Sequence, residues 1–262
     1  MKHCTVQTVA DAVNRLAPRI LAEDWDNPGL LVGEPSAPVK KIFVCLDVTD
    51  ATIEQAIELG AQLIVAHHPL IFTAIKNIRT DLPLGKKISR LIKNDVAVFA
   101  AHTNLDSAQG GVNDVLAKRL GLRDVKNFGD EEFSLGRLGT LETPLSAEGF
   151  ARHVKQSLGA DNVRLICAGD FPISKVGVSS GAGASFVAKA KFFGAEAFVT
   201  GDVKYHDAQA AVERGIHVVD AGHFATEFPI VRELADYLRG ELKNFDAEIF
   251  ADTASKDFFA TI

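Results

Sequence analysis

The sequence predicts an α/β fold built on mostly parallel strands, and three observations carry that prediction. Short apolar runs alternate with segments of helical spacing. Three of those runs end in histidine and carboxylate residues, at the strand edge where α/β proteins gather ligands. The chain has 262 residues with 47% hydrophobic content, enough for one large or two modest domains with real cores.

Residues 5–16 place Val6, Val9, Val13 and Leu16 on one helical face, with Thr5 or Thr8 as the cap. Trp25-Asp26-Asn27-Pro28-Gly29-Leu30 reads as turn chemistry inside an apolar frame. After Pro35 and Pro38 comes a strand at 42–46 ending at Asp47, then a helix at 51–59 stopped by Gly60. A strand at 63–66, a helix at 84–92, a strand at 96–100 and a helix at 112–120 closed by Gly121 continue the rhythm. A polar break follows over 126–132, centred on Gly129 and Asp130. Beyond it the pattern restarts with strands at 136–141, 163–168, 175–178 and 197–199, and helices at 148–158 and 185–193. These features divide the chain into a first α/β domain, 1–128 plus 216–262, and a second, 129–215. The strand at 217–219 and a helix over 226–238 are assigned to the first domain, because His223 and Glu227 then join the other candidate ligands.

The formal charge of −6 gives no support for a non-specific nucleic-acid surface. Cys4, Cys45 and Cys167 are odd in number and widely spaced, which rules out a full disulfide framework and points to a reducing compartment. Residues 1–5 lack the apolar core of a signal peptide, and no run approaches the roughly 18–20 apolar residues of a spanning helix. A cytoplasmic location is expected.

The candidate site residues are those at the strand ends. The run 63–66 ends in His67-His68, the run 96–101 ends in His102 with Asp106 four residues on, and the run 216–219 leads to His223 with Glu227 four residues on. Imidazole mixed with carboxylate suits Zn, Mn, Fe or Co better than Ca or Mg alone. Each group has a plainer reading. Adjacent side chains of an extended segment point in opposite directions, so His67 and His68 serve two metals, or one metal and one structural bond, and the plainer reading is strand-end histidines that only cap or hydrogen-bond. Asp106 has a second reading as the cap of the helix near Val112, and Glu227 as a solvated or paired carboxylate. His223 and Glu227, four apart, share a helical face. Convergence favours the metal: His67, His68, His102, His206 and His223, five of the eight histidines, sit at or just past strand ends. Two ions about 3.5–4 Å apart activate a water and neutralise an oxyanion together.

His206 lies in the polar segment 200–207, after the strand at 198–199, and reads as a general acid or base near the metals. The alternative is an outward His on a helix capped by Asp202. Residues 179–185, Ser-Ser-Gly-Ala-Gly-Ala-Ser, follow a strand and open a helix; they lack a full phosphate-binding fingerprint, and close helix–strand packing is the preferred reading.

Several motifs in order resemble one family: Trp25-Asp26-Asn27-Pro28-Gly29-Leu30-Leu31-Val32-Gly33, Leu46-Asp47-Val48-Thr49, Ala66-His67-His68-Pro69-Leu70-Ile71-Phe72, Ala101-His102-Thr103-Asn104-Leu105-Asp106, Thr200-Gly201-Asp202 with Tyr205-His206, and Gly222-His223 with Thr226-Glu227. The chain resembles the GTP cyclohydrolase 1 type 2 homologue, or Nif-three-like, family over residues 25–230. The resemblance implies two α/β domains with a dinuclear metal site in the interdomain cleft, and metal ligands at His67, His68, Asp106, His223 and Glu227. It also implies two divalent ions per chain (Zn, Fe or Mn), a toroidal homohexamer, and the compact form of a family whose longer members carry an inserted domain.

Two readings of function follow. The leading one is a metal-dependent hydrolase of a nucleotide or phosphorylated small molecule, with His102 or His206 moving protons and Lys204 meeting a substrate phosphate. For GTP, water would attack C8 of the base. The other is a non-enzymatic metal-binding assembly or scaffold protein that forms a ring. Polar groups beyond the five ligands, at His102, Lys204 and His206, favour chemistry over a closed structural site. Nucleic-acid processing by such a ring is a third reading, which the acidic balance weakens.

Overall fold

Thr5 and Thr49 show how local chemistry starts the fold. Each accepts a hydrogen bond from the backbone of a threonine three residues on, Thr8 and Thr52, and so caps the helices Val6–Leu16 and Asp50–Leu59. Gly60, at φ 66°, ends the second of them. The structure, a computed structural model, describes residues 2–128 and 134–260; the expected break at Gly129 and Asp130 lies outside the described residues.

The strands among the described residues are β1 (Gly29–Val32), β2 (Lys41–Cys45), β3 (Leu63–Ala66), β4 (Ala97–Ala100), β5 (Arg123–Asn127), β6 (Arg137–Leu145), β7 (Arg164–Ile166), β8 (Ile173–Val178), β9 (Ala197–Thr200), β10 (His217–Asp220) and β11 (Glu248–Ala251). They form two sheets, ordered β1-β4-β3-β2-β11 and β5-β6-β8-β9-β10-β7. In the first, β11, β2, β3 and β4 are parallel and β1 runs antiparallel at the edge. Cys45 pairs with Ala66, and Ala66 with Ala100, so β2, β3 and β4 end in register. The chain therefore leaves at one sheet edge through Leu46-Asp47, His67-His68 and Ala101-His102. In the second sheet β8, β9 and β10 are parallel, and Asp220 pairs with Thr200 at the matching end.

Each sheet has its own core. Phe43, Ile64 and Val98 pack with Ile53, Ile88 and Leu91 in the first. In the second, Val176, Val199 and Val219 pack with Phe150, Val154 and Leu116, while Phe198 and Val218 pack with Phe128 and Val187 in a further cluster. Burial on this scale is the main source of stability for both units.

The two units run differently from the expected domains. Unit 1 is Met1–Ala108 with Ile230–Ser255, and unit 2 is Gln109–Pro229 with Lys256–Ile262, against expected boundaries at 128/129 and 215/216. The reason is packing. β10 pairs with β9 and β7, which carries Val218 and Val219 into the second unit's core, and the helix Val112–Arg119 brings Leu116 and Ala117 there. His223 and Glu227 therefore belong to unit 2, not to the unit that holds His67, His68, His102 and Asp106.

Three strands and one α-helix were not expected. β1 lies in what reads as a turn; β5 is a polar, mostly exposed edge strand; β11 is a short edge strand. Backbone pairing defines all three, and their side chains show little pattern. The helix Thr103–Ser107 occupies a segment that reads as a loop, and Tyr205–Glu213 is the helix with an outward His206 of the alternative reading, without the expected Asp202 cap. The helix expected over 226–238 is two helices, His223–Glu227 and Pro229–Glu241; a proline, which lacks the N–H, opens the second. Among the described residues no helix is long and apolar enough to cross a membrane.

Candidate metal centre

In unit 1 the aligned strand ends deliver three imidazoles, and each has its Nδ1 held by a protein oxygen. His67 Nδ1 donates to the Ala101 carbonyl at 2.8 Å, His68 Nδ1 to Asp47 Oδ1 at 2.8 Å, and His102 Nδ1 to Asp26 Oδ1 at 2.7 Å. A carbonyl or carboxylate oxygen only accepts, so the proton of each neutral ring sits on Nδ1 and the lone pair on Nε2. An imidazole held this way is oriented as a metal ligand. The other Asp26 oxygen accepts from the Thr103 amide at 3.0 Å and hydroxyl at 2.5 Å. Burial pushes the Asp26 carboxyl up, but the hydrogen bonds from His102 and Thr103 outweigh it and hold the group at about 2.

The chain bends at His67-His68 instead of continuing β3. The opposite projection expected of an extended pair is therefore not found. The two rings lie 4.9 Å apart, and ligand-type atoms of His67, His68 and His102 all lie within 4.8 Å of one another. Asp106 is buried on the helix Thr103–Ser107, its Oδ1 3.5 Å from His67 Nε2. It does not cap the next helix: the residue at that position is Gly111, with no side-chain cap.

Unit 2 reaches a similar arrangement through glycines. β10 leads through Gly222 into the helix His223–Glu227, whose i,i+4 geometry sets His223 Nε2 3.0 Å from Glu227 Oε2. His223 Nδ1 donates to Asp202 Oδ2 at 2.7 Å. Asp202 has φ 54°, a left-handed conformation that costs a non-glycine residue energy. A Cβ on Gly201 would lie 2.6 Å from the His223 nitrogen and 2.7 Å from the Gly222 carbonyl carbon, so the chain there approaches backbone to backbone. Gly181, at φ 57°, leaves the space in which Glu227 sits. A Cβ there would overlap Glu227 Oε1 and come 3.0 Å from His223 Nε2.

Four amides of the 179–185 segment are held by the protein itself, Ser179 N donating to the Val199 carbonyl. Ser180 N donates to Asn113 Oδ1 at 2.8 Å, Gly181 N to Thr226 Oγ1 at 3.0 Å and Gly183 N to Thr200 Oγ1 at 2.9 Å. This agrees with the packing reading and not with a phosphate cradle. Lys204 and His206 are exposed at the start of the helix Tyr205–Glu213, and the His206 ring lies 5.4 Å from that of Tyr205. Asp202 does not cap this helix; Asp207 accepts from Lys204 N at 3.3 Å while Asp202 holds His223. Asp26, Asp47 and Asp202 were not singled out from the sequence as site residues. Their signal was membership of the same short motifs as the histidines they hold.

The donor set fits divalent metal. In His67–Asp106 and His223–Glu227 a nitrogen that carries a lone pair when neutral faces a carboxylate oxygen. Two such acceptors at these distances need a cation between them, either a proton or a metal ion. The imidazole and carboxylate composition selects transition metals over Ca.

The Duf34/NIF3 (NGG1p interacting factor 3) family model matches residues 4–257. A GTP cyclohydrolase 1 type 2 homolog of Clostridium perfringens (strain 13 / Type A) is 37% identical over 260 residues, covering 97% of this chain and 98% of its own. A Bacillus cereus protein related to NIF3 superimposes with a TM-score of 0.95 at 27% identity, over 100% of both chains. Reduced HcgD from Methanocaldococcus jannaschii superimposes with a TM-score of 0.82 at 30% identity, over 95% of this chain and 98% of that one.

Proposed function

Because the chain belongs to the Duf34/NIF3 family, we propose that it is a dinuclear metal protein with hydrolase activity on a nucleotide or phosphorylated small molecule. The proposed ligands are His67, His68, Asp106, His223 and Glu227. The observation that carries this reading is the set of four imidazoles, His67, His68, His102 and His223, each with Nδ1 bound to an oxygen. With Nδ1 held by an oxygen, each neutral ring offers Nε2, as metal-ligating histidines do. Two bound ions supply Lewis-acid activation of water and charge neutralisation.

The chain's own residues do the rest. Asp26 keeps the His102 proton on Nδ1, so Nε2 is available to take a proton from water and return it to a leaving group. His206 is the second proton carrier in this proposal, and exposed Lys204 meets a substrate phosphate. Ring opening of the GTP imidazole is within reach of such a site, and the name of the Clostridium relative supports testing it. The toroidal hexamer belongs to the same proposal; sedimentation of the purified chain checks it.

The deciding experiment is metal per chain by elemental analysis on gently purified protein, with Asp106→Ala alongside. About two ions per chain, lost in a variant that still folds, is the expected result. Full occupancy in Asp106→Ala removes that residue from the ligand set. One ion or fewer in the wild type, even after adding metal, sinks the dinuclear hydrolase and leaves the metal-binding assembly protein. In a screen of GTP and phosphoesters, His206→Ala should keep its metal and lose turnover by about 10²-fold or more. An unchanged rate returns His206 to a structural role.

A further inference from the structure

Two aromatic side chains that the metal reading does not use stand beside the first unit's histidines. Trp25 is 58% exposed and Phe72 is 49% exposed, and large rings left in water in contact with each other mark binding surfaces. Their centroids are 5.9 Å apart, and both meet the His102 ring, at 6.3 Å and 6.1 Å. All three contacts are edge-on, at 63°, 76° and 85°. In each edge-on contact the edge of one ring meets a face of the other, and about half of the surface of Trp25 and of Phe72 still faces solvent. The rings are also held in place. Asn27 Nδ2 donates to the Ile71 carbonyl at 2.7 Å, tying the turn that carries Trp25 to the segment that carries Phe72. Asp26, between Trp25 and Asn27, is anchored on His102 and Thr103.

We infer that Trp25 and Phe72 form a stacking platform for the planar base of a nucleotide, whose polar groups then reach the His67, His68 and His102 cluster. This rests on the metal-centre reading and narrows its substrate class to ligands with a flat heteroaromatic ring. A base is favoured over an aliphatic or protein anchor because the platform is bordered by imidazoles. A heterocycle offers polar edge atoms to such a border, whereas an acyl chain or leucine would desolvate it without compensation. Stacking on aromatic side chains is tolerant of which base is present, so the platform selects a ring and not a particular nucleotide.

Trp25 is the chain's only tryptophan, so its emission reports on the platform without any assay of turnover. Metal-loaded full-length protein is titrated with guanosine 5′-monophosphate, and with ribose 5-phosphate as the ringless control. The inference expects saturable quenching by the nucleotide and none by the sugar phosphate. It also expects about tenfold weaker binding in Phe72→Ala, restored in Phe72→Tyr. Equal quenching by ribose 5-phosphate, no saturation with the nucleotide, or unchanged affinity in Phe72→Ala overturns it. So does an emission change that follows protein concentration alone, which assigns the surface to a second copy. Metal analysis of the same preparations separates the two readings. Metal present without base binding removes the platform and leaves the metal centre, whereas base binding to protein that takes up no metal brings down the metal reading and not the platform.

Discussion

In unit 1, three imidazoles hang from the ends of parallel strands and are steered by oxygens that neighbouring segments supply. In unit 2, one imidazole stands on a five-residue helix, and glycines make the room around it. The first arrangement follows from register: once β2, β3 and β4 end together, Asp47, His67 and His102 emerge side by side. The second depends on close backbone approach and on Asp202, held at φ 54°, a left-handed conformation that Asp95 and Asp124 also adopt. The contrast shows two ways to hold the same chemical group. One is a by-product of sheet geometry; the other depends on glycines where a side chain would not fit.

Gly181 is where this contrast breaks most visibly. Gly181→Val should destabilise the protein by about 3 kcal/mol, combining left-handed strain with overlap on Glu227, and should lower metal occupancy. Denaturant midpoints and metal analysis measure both. Gly60→Ala is the control: it has a similar φ of 66° but open space around it, so about 1 kcal/mol with full metal retention is expected. Equal costs at the two positions would mean that room for Glu227 is irrelevant.

The acceptors that hold the rings sharpen the comparison. Asp47→Ala and Asp202→Gly should each weaken metal binding by about 10–100-fold, read by chelator competition. They should part in stability. Asp202→Gly relieves a φ of 54° and should gain up to about 1 kcal/mol, whereas Asp47→Ala relieves nothing. A stability loss in Asp202→Gly as large as in Asp47→Ala would mean that its backbone is not strained.

The smallest effect is expected at His217, which is not among the proposed ligands. His217 is fully buried, its Nδ1 accepts from Ala168 N at 3.2 Å, and Phe171 lies 4.1 Å from its ring. Burial lowers its pKa below 6.5; Lys191 adds to that, while the Phe171 backbone and Glu196 oppose it. The fold therefore binds this proton less readily than the unfolded chain does. Its contribution to stability is present above pH 6.5 and is lost as pH falls through the lowered value. His217→Leu should flatten that part of the stability–pH curve, and an unchanged acid limb would show that other groups control it.

Much of the fold was legible. The helices capped by Thr5 and Thr49, and the strands at 63–66 and 217–219, follow from apolar runs and caps that act within a few residues. The short edge strands β1, β5 and β11 were not: β5 is polar, and β1 and β11, though largely apolar, have 4 residues each and are defined by their pairing partners. Unit membership failed at β10 for a related reason: a buried run fits either sheet, and only pairing with β9 decides which. Assigning His223 by its chemistry put it in the first domain, whereas the strand that leads to it pairs with β9, because donor type says nothing about which sheet a strand joins.

The sequence by itself determined the types of donor and their positions at strand ends, because both are local properties of apolar runs and the polar residues that end them. It also carried the family, through short motifs kept in order. Tertiary structure decided how each ring is held. The oxygens that bind the four Nδ1 atoms lie 21 to 76 residues away along the chain. No local pattern links such pairs; strand register and loop packing bring them within 2.8 Å, and that contact gives each histidine one tautomer and one direction.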